Sequence, residues 1–159
     1  LILPVRWNLA TAKPVLTTNP TEKLLTNGIR GSLKYSDFEW CSWADNDSVS
    51  FTIDLLKLEM LNTLILGCIT NNGMAIHKPA SVRVEVSDDN SKFREAVVQS
   101  FTSEEIFREG NFIENLSLKL GGTQARYVRV TAKGPGVCPA SHVRPGQTSR
   151  IFFDEVMLE

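Results

Sequence analysis

Few side chains in this sequence could do acid, base or metal chemistry, and their spacing decides which of those tasks is open to them. The two histidines, His77 and His142, lie far apart and fall in neither an H-x-x-x-H nor a mixed Cys/His motif. Hydrogen bonding within loops is therefore the expectation for both, ahead of zinc ligation or proton transfer. Asp88-Asp89 and Glu104-Glu105 are adjacent carboxylates, and glycoside hydrolysis needs a pair. Neighbouring residues in a strand or turn point apart, however, and a turn over residues 87–90 and a helix cap over 102–105 account for all four. Arg144 and Arg150 could hold a sugar hydroxyl or a carboxylate, or stand as solvated loop charges. Cys41, Cys68 and Cys138 are odd in number and widely separated, so they are expected as buried thiols, not as a disulfide framework or a metal motif. No G-x-S-x-G elbow, phosphate loop or dinucleotide fingerprint occurs, which leaves a catalytic reading without a motif.

The elements that must position these residues are read from periodicity. Phe51, Ile53 and Leu55 alternate with polar neighbours, as do Val82, Val84 and Val86, Leu116, Leu118 and Leu120, Val128 and Val130, and the run 151–158. That two-residue rhythm places one apolar face on each of several short strands. Turn chemistry separates them at Asn71-Asn72-Gly73, at residues 87–90, at Gly121-Gly122 and at Gly134-Pro135-Gly136. Over residues 54–66 the spacing of Leu55, Leu58, Leu61 and Ile65 also suits a helix, but the β-rich flanks favour two strands. Thr102 and Glu105 form a capping box that predicts a helix of one or two turns ending near Gly110. The class expected is all-β, an antiparallel sandwich of jelly-roll type with about eight strands.

Composition narrows the partners. With 159 residues, 42% hydrophobic and 22% charged, the chain suits a single globular domain over residues 1–159 with a sizeable core. Its 17 basic residues against 18 acidic ones, a formal charge of -1, provide no general attraction to nucleic acid or an anionic membrane. No run approaches the roughly 18 apolar residues of a membrane helix. The sequence starts at Leu1 with no signal-like stretch, as a piece of something longer would.

Several segments together resemble one family, the discoidin-like or coagulation factor V/VIII type C domains, in the branch of family 32 carbohydrate-binding modules. They are Asn8 to Pro14, Leu25 to Ser32 with Trp40 following, Ile53-Asp54-Leu55, Pro79 with Val82, Val84 and Ser87-Asp88-Asp89, Ala125 to Val130, and Phe153 to Val156. The stretch Leu25 to Tyr35, and Cys138-Pro139 with His142, Arg144 and Gly146, is similar to modules at the C-terminus of bacterial chitobiases and β-N-acetylhexosaminidases.

The resemblance implies a non-catalytic module that holds a catalytic domain of the same chain, a glycoside hydrolase, near a galactose- or N-acetylhexosamine-type glycan. A periplasmic, cell-surface or secreted location follows from it. Loops near 40–46, 71–77 and 134–150 would then carry the sugar, with Trp43, Asn71, Asn72, His77, His142 and Arg144 as candidates. Trp40 would pack in the core, and Trp7 would cover it or stand exposed. A structural Ca2+ would sit in the turn 24–32, held by Asn27, Ser32 and Glu155 and by carbonyls such as those of Leu24 and Arg30, with Asn27 standing where an Asp is usual. Three rivals stay open: a docking module for protein or lipid, a spacer packed on its catalytic domain, and an enzyme.

Overall fold

The structure, a computed structural model, describes residues 8–17, 19–43 and 48–159. Trp7 and residues 44–46 of the expected sugar loop lie outside them. Among the described residues there are seven strands: β1 (Val15–Leu16), β2 (Cys41–Trp43), β3 (Ser48–Asn71), β4 (Ser81–Ser87), β5 (Arg94–Ser100), β6 (Asn111–Lys133) and β7 (Ile151–Leu158). They are hydrogen-bonded in the order β2-β7-β3-β6-β4-β5, with β1 on β3. Every one of these pairings is antiparallel.

Two long bent strands turn that single path into two layers. The first part of β3, through Asp54, pairs with residues 127–133 of β6, while residues 59–71 pair with 111–125. The register breaks between Asp54 and Glu59, where Leu56 takes a left-handed φ of 69° and its amide donates to Asp54 Oδ1 at 2.8 Å. A second break falls beside Gly121 and Gly122, at φ 69° and 73°, a conformation glycine adopts without steric cost. One layer thus holds β5, β4 and the β6–β3 half nearest them, and the other holds β2, β7 and the remaining half.

Alternation directs the apolar side chains of both layers into one core. Phe51, Ile53, Val82, Val84, Val128 and Val130 meet Leu64, Leu66, Leu116, Leu118, Phe153 and Val156, each burial contributing about 1.5–3 kcal/mol against the entropy of ordering the chain. Residues 54–66 are strand, as their flanks predict, but they continue one element through a bend instead of forming two. The strands expected at 116–120 and 127–131 likewise merge in β6, because paired glycines bend a strand without ending its hydrogen bonding. The helix α1 (Ser103–Ile106) has the predicted capping box and stops at Phe107, short of Gly110. Cys41, Cys68 and Cys138 are free and buried. The first described residues close the fold, the Asn8 side chain bridging Val156 O and the Leu158 amide of β7. Among the described residues no helix is long and apolar enough to cross a membrane.

Candidate functional site

At one end of the sandwich, three connections surround an open cleft of about 530 Å³, lined by Asn72, Ser103, Glu104, Phe107, Arg108, Glu109, Pro139, Ser141 and His142. Each wall has a local cause. The turn after β3 is capped by Asn71, whose Oδ1 accepts from the Met74 amide at 3.2 Å, and it closes on Ala75 at a left-handed φ of 52°. The wall carrying Phe107 is set by the capping box, in which the Glu105 amide donates to Thr102 Oγ1 and the Thr102 amide to Glu105 Oε2. The third wall, in residues 134–150, is irregular but tied down. The Cys138 amide donates to Gln147 O and the Gly146 amide to Cys138 O, while Ser149 Oγ and the Arg150 amide both donate to Ala75 O. The Arg144 guanidinium adds a bond to the Gly73 carbonyl across the gap.

Behind the cleft, His77 and His142 meet with their Nε2 atoms 2.9 Å apart. The Arg144 amide donates to Nδ1 of His142 at 2.9 Å, so that nitrogen carries no proton. Neutral His142 therefore holds its proton on Nε2 and donates it to Nε2 of His77, whose own proton sits on Nδ1. Burial pushes the His77 pKa down to about 4, with repulsion from His142 adding to the fall and the Ile106 carbonyl opposing it. The Phe107 ring lies edge-on to both imidazoles, at centroid distances of 5.1 and 6.2 Å. Asn72 contributes a different feature: its Oδ1 is buried and accepts no hydrogen bond from any described residue, a state that costs free energy unless something donates to it.

Of the six residues expected to bind sugar, Asn72 and His142 line this cleft. Asn71 and Arg144 brace its walls, and His77 lies wholly buried behind His142. Trp43 requires a correction. It is only 9% exposed and belongs to the core, stacked on Phe51 and edge-on to Phe153, with its Nε1 donating to Glu22 Oε1 at 3.1 Å. Its place on the inward-facing side of β2 buries the ring, so it has no face to offer a ligand. Trp40 packs as expected, against Ile69, Ile76 and Phe152, with its Nε1 donating to Ser32 O. The aromatic in the cleft is Phe107, which sequence reasoning missed along with Ser141 and Arg108. The available signal was the capping box, which marks residues 103–109 as a rigid protrusion.

The turn 24–32 gathers only some of the expected calcium ligands. Glu155, 1% exposed, accepts from the Gly28 amide at 3.1 and 3.2 Å, and burial pushes its pKa up to about 7. Gly28 reaches it through a positive φ of 80°. Arg30 salt-bridges Asp154, not Glu155, so the Glu155 carboxylate suits a cation that would compensate its burial. Leu24 O already accepts from the Asn27 amide. Asn27 and Ser32 fit less well than expected. Asn27 joins Glu39 through Nδ2 and the Ile29 amide through Oδ1. Ser32 is occupied on its other side, with its amide on Asp37 and its Oγ accepting from the Lys34 amide. Gly31 lies so close to the Trp40 ring that a Cβ has no room there.

A β-sandwich whose connections enclose a cleft at one end, above a sealed core, defines a class of loop-presenting modules. The family described as F5/8 type C domain matches residues 11–143, and the chain belongs to it. Among solved structures it is similar to CpGH89CBM32-6 produced by Clostridium perfringens, with 17% identity, TM-score 0.58, and 96% of this chain and 98% of that one covered. It is also similar to chitosan-binding module 1 of a chitosanase/glucanase from Paenibacillus sp. IK-5, with 15% identity, TM-score 0.61, and 97% and 99% covered. The C-terminal domain of a chitobiase from Bacteroides fragilis is a third, with 17% identity, TM-score 0.52, and 86% and 78% covered. At these identities the likeness is one of fold. No curated protein matches the chain by sequence.

Proposed function

We propose that the chain is a non-catalytic carbohydrate-binding module whose ligand sits in the Phe107 cleft. The observation that carries this reading is the pairing of Asn72 Oδ1, a buried acceptor in need of a donor, with an apolar ring in the same cleft. A sugar has both complements, hydroxyl donors and a C–H face. Ser141, Glu104, Arg108 and Glu109 add polar groups at the rim. The fold neighbours that are sugar-binding modules support the same reading. Affinity is modest, because an open cleft buries part of one saccharide only. The finer expectations belong to this proposal. The module keeps an attached glycoside hydrolase near its glycan by raising effective concentration, outside the cytoplasm. It also binds Ca2+ at the turn 24–32, where Glu155 supplies the charged ligand of a hard, oxygen-preferring ion.

Calorimetry with galactose- and N-acetylhexosamine-terminated oligosaccharides tests the sugar reading. Binding that is lost in Phe107→Ala supports it, and binding indifferent to both Phe107→Ala and Asn72→Ala removes the cleft from the proposal. Thermal melting with calcium and then with chelator tests the ion: a rise in midpoint that Glu155→Gln abolishes is expected, and no rise ends that part. One observation favours a docking role instead. Phe38 is 93% exposed on the loop between Ser32 and Trp40, and capture by lipid vesicles that depends on Phe38, without glycan binding, would replace the sugar reading.

A further inference from the structure

Cys138 is buried outside the cleft lining and the two packed apolar clusters, yet it sits among the groups that metals choose. One ring nitrogen from each of His77 and His142 and the Cys138 Sγ all lie within 4.8 Å of one another, and all three residues are buried. Cys138 and His142 stand four residues apart in one loop, while His77 arrives on the segment leading into β4, so the fold is what brings the third donor to the pair. We propose that His77, His142 and Cys138 form a binding site for a borderline-soft divalent cation of the zinc class.

The donor set is the first argument. Two imidazoles and a thiolate suit zinc and its neighbours and exclude hard ions such as calcium or magnesium, which take oxygen. Position is the second. The Cys138 backbone is held on both sides, by Gln147 O and the Gly146 amide, and Ser149 fastens the same loop to Ala75 O beside the turn that leads to His77. The three donors are therefore presented by a braced frame. Fit is the third. Tetrahedral nitrogens at the usual Zn–N length of about 2.0–2.1 Å stand about 3.3 Å apart, and a nitrogen and a sulfur at about 2.3 Å stand about 3.5 Å apart. The 2.9 Å between the two Nε2 atoms must therefore open slightly, and the rings must turn from facing each other to a shared point. Cys138 Sγ, within 4.8 Å of one nitrogen of each ring, must close on that point. His142 borders the cleft.

Binding has one unavoidable consequence. A neutral imidazole that ligates through Nε2 carries its proton on Nδ1, and one that ligates through Nδ1 gives up that lone pair. Either way the Arg144 amide loses the acceptor it now has on His142. The thiol proton of Cys138 leaves to solvent, the sulfur lone pair goes to the metal, and nothing is oxidised or reduced.

The test uses Co(II) and Zn(II) alone, added to the full chain under reducing conditions and without glycan, so its outcome is independent of the sugar reading. One equivalent of Co(II) is expected to produce a thiolate-to-metal charge-transfer band that zinc abolishes by displacement and that Cys138→Ser lacks. Absence of the band, or a band unchanged in Cys138→Ser, overturns the site. In the unsubstituted protein, saturating zinc is expected to speed hydrogen exchange at the Arg144 amide several-fold. An unchanged rate there overturns the proposal even if the serine variant does not fold.

Discussion

The core around Trp43 and the cleft around Phe107 are both aromatic clusters with polar groups attached, and each leaves one buried oxygen without a partner, Glu22 Oε2 in the first and Asn72 Oδ1 in the second. They differ in that Asn72 lines an open cleft, whereas Glu22 is 4% exposed in the interior. Trp43 is stacked on Phe51, edge-on to Phe153, and its one donor is used by Glu22. Phe107 touches two imidazoles and lines a space where Asn72 Oδ1 has no partner. An unmade buried hydrogen bond costs free energy in either place, but only beside a cleft can a ligand make it. Under the proposed function, the unsatisfied acceptor of the cleft marks the ligand's place more closely than the size of the aromatic ring does.

That contrast can be broken by substitution. Trp43→Ala removes a packed indole and is expected to cost about 3–5 kcal/mol of stability, read as a lower urea midpoint. A variant with unchanged stability and no glycan binding would reverse the assignment of the two clusters. Phe107→Ala, at a half-buried position, is expected to weaken glycan binding about tenfold or more, about 1.4 kcal/mol, with a smaller loss of stability than Trp43→Ala. Thr102→Ala removes the cap that holds Phe107 in place and is expected to cost about 1 kcal/mol. Calorimetry on that variant should show a weakening of glycan binding smaller than that of Phe107→Ala.

The smallest effect lies where β3 meets β6, in the Asp54–Arg126 pair. Two hydrogen bonds from Arg126, at 2.8 and 3.0 Å, hold the Asp54 pKa below the ordinary carboxylate value. A folded-state pKa that is depressed stabilises the protein above the unfolded value, about 3.9, and that contribution disappears as pH falls through the lower folded value. Acid unfolding of Asp54→Asn is therefore expected to show a shallower loss across that window than the unsubstituted protein, with glycan binding at neutral pH unaffected. Equal acid profiles would mean the pair contributes nothing to stability.

Much of the fold was legible because alternation is a local property. The apolar faces of residues 51–55, 82–86, 116–120 and 127–131 were read from spacing alone, and so was the capping box at Thr102 and Glu105. Strand continuity was not legible: Gly121-Gly122 reads as a turn, and only the pairing of β6 with β3 shows it as a bend. At the candidate site the loops at 71–77 and 134–150 were identified, and with them Asn72 and His142. Trp43 was misplaced because a residue's type does not say which face of a short strand it occupies.

By itself the sequence determined the class, since the two-residue rhythm and its turn residues admit a sandwich and little else, and the ordered motifs carry the family. Only the tertiary structure decided which side chains meet. His77, Cys138 and His142 lie on connections whose conformations depend on distant backbone partners such as Ala75 O and Gln147 O. Spacing along the chain sets Cys138 four residues from His142 but carries no record of His77 beside them, because loop residues are placed by what they fold against.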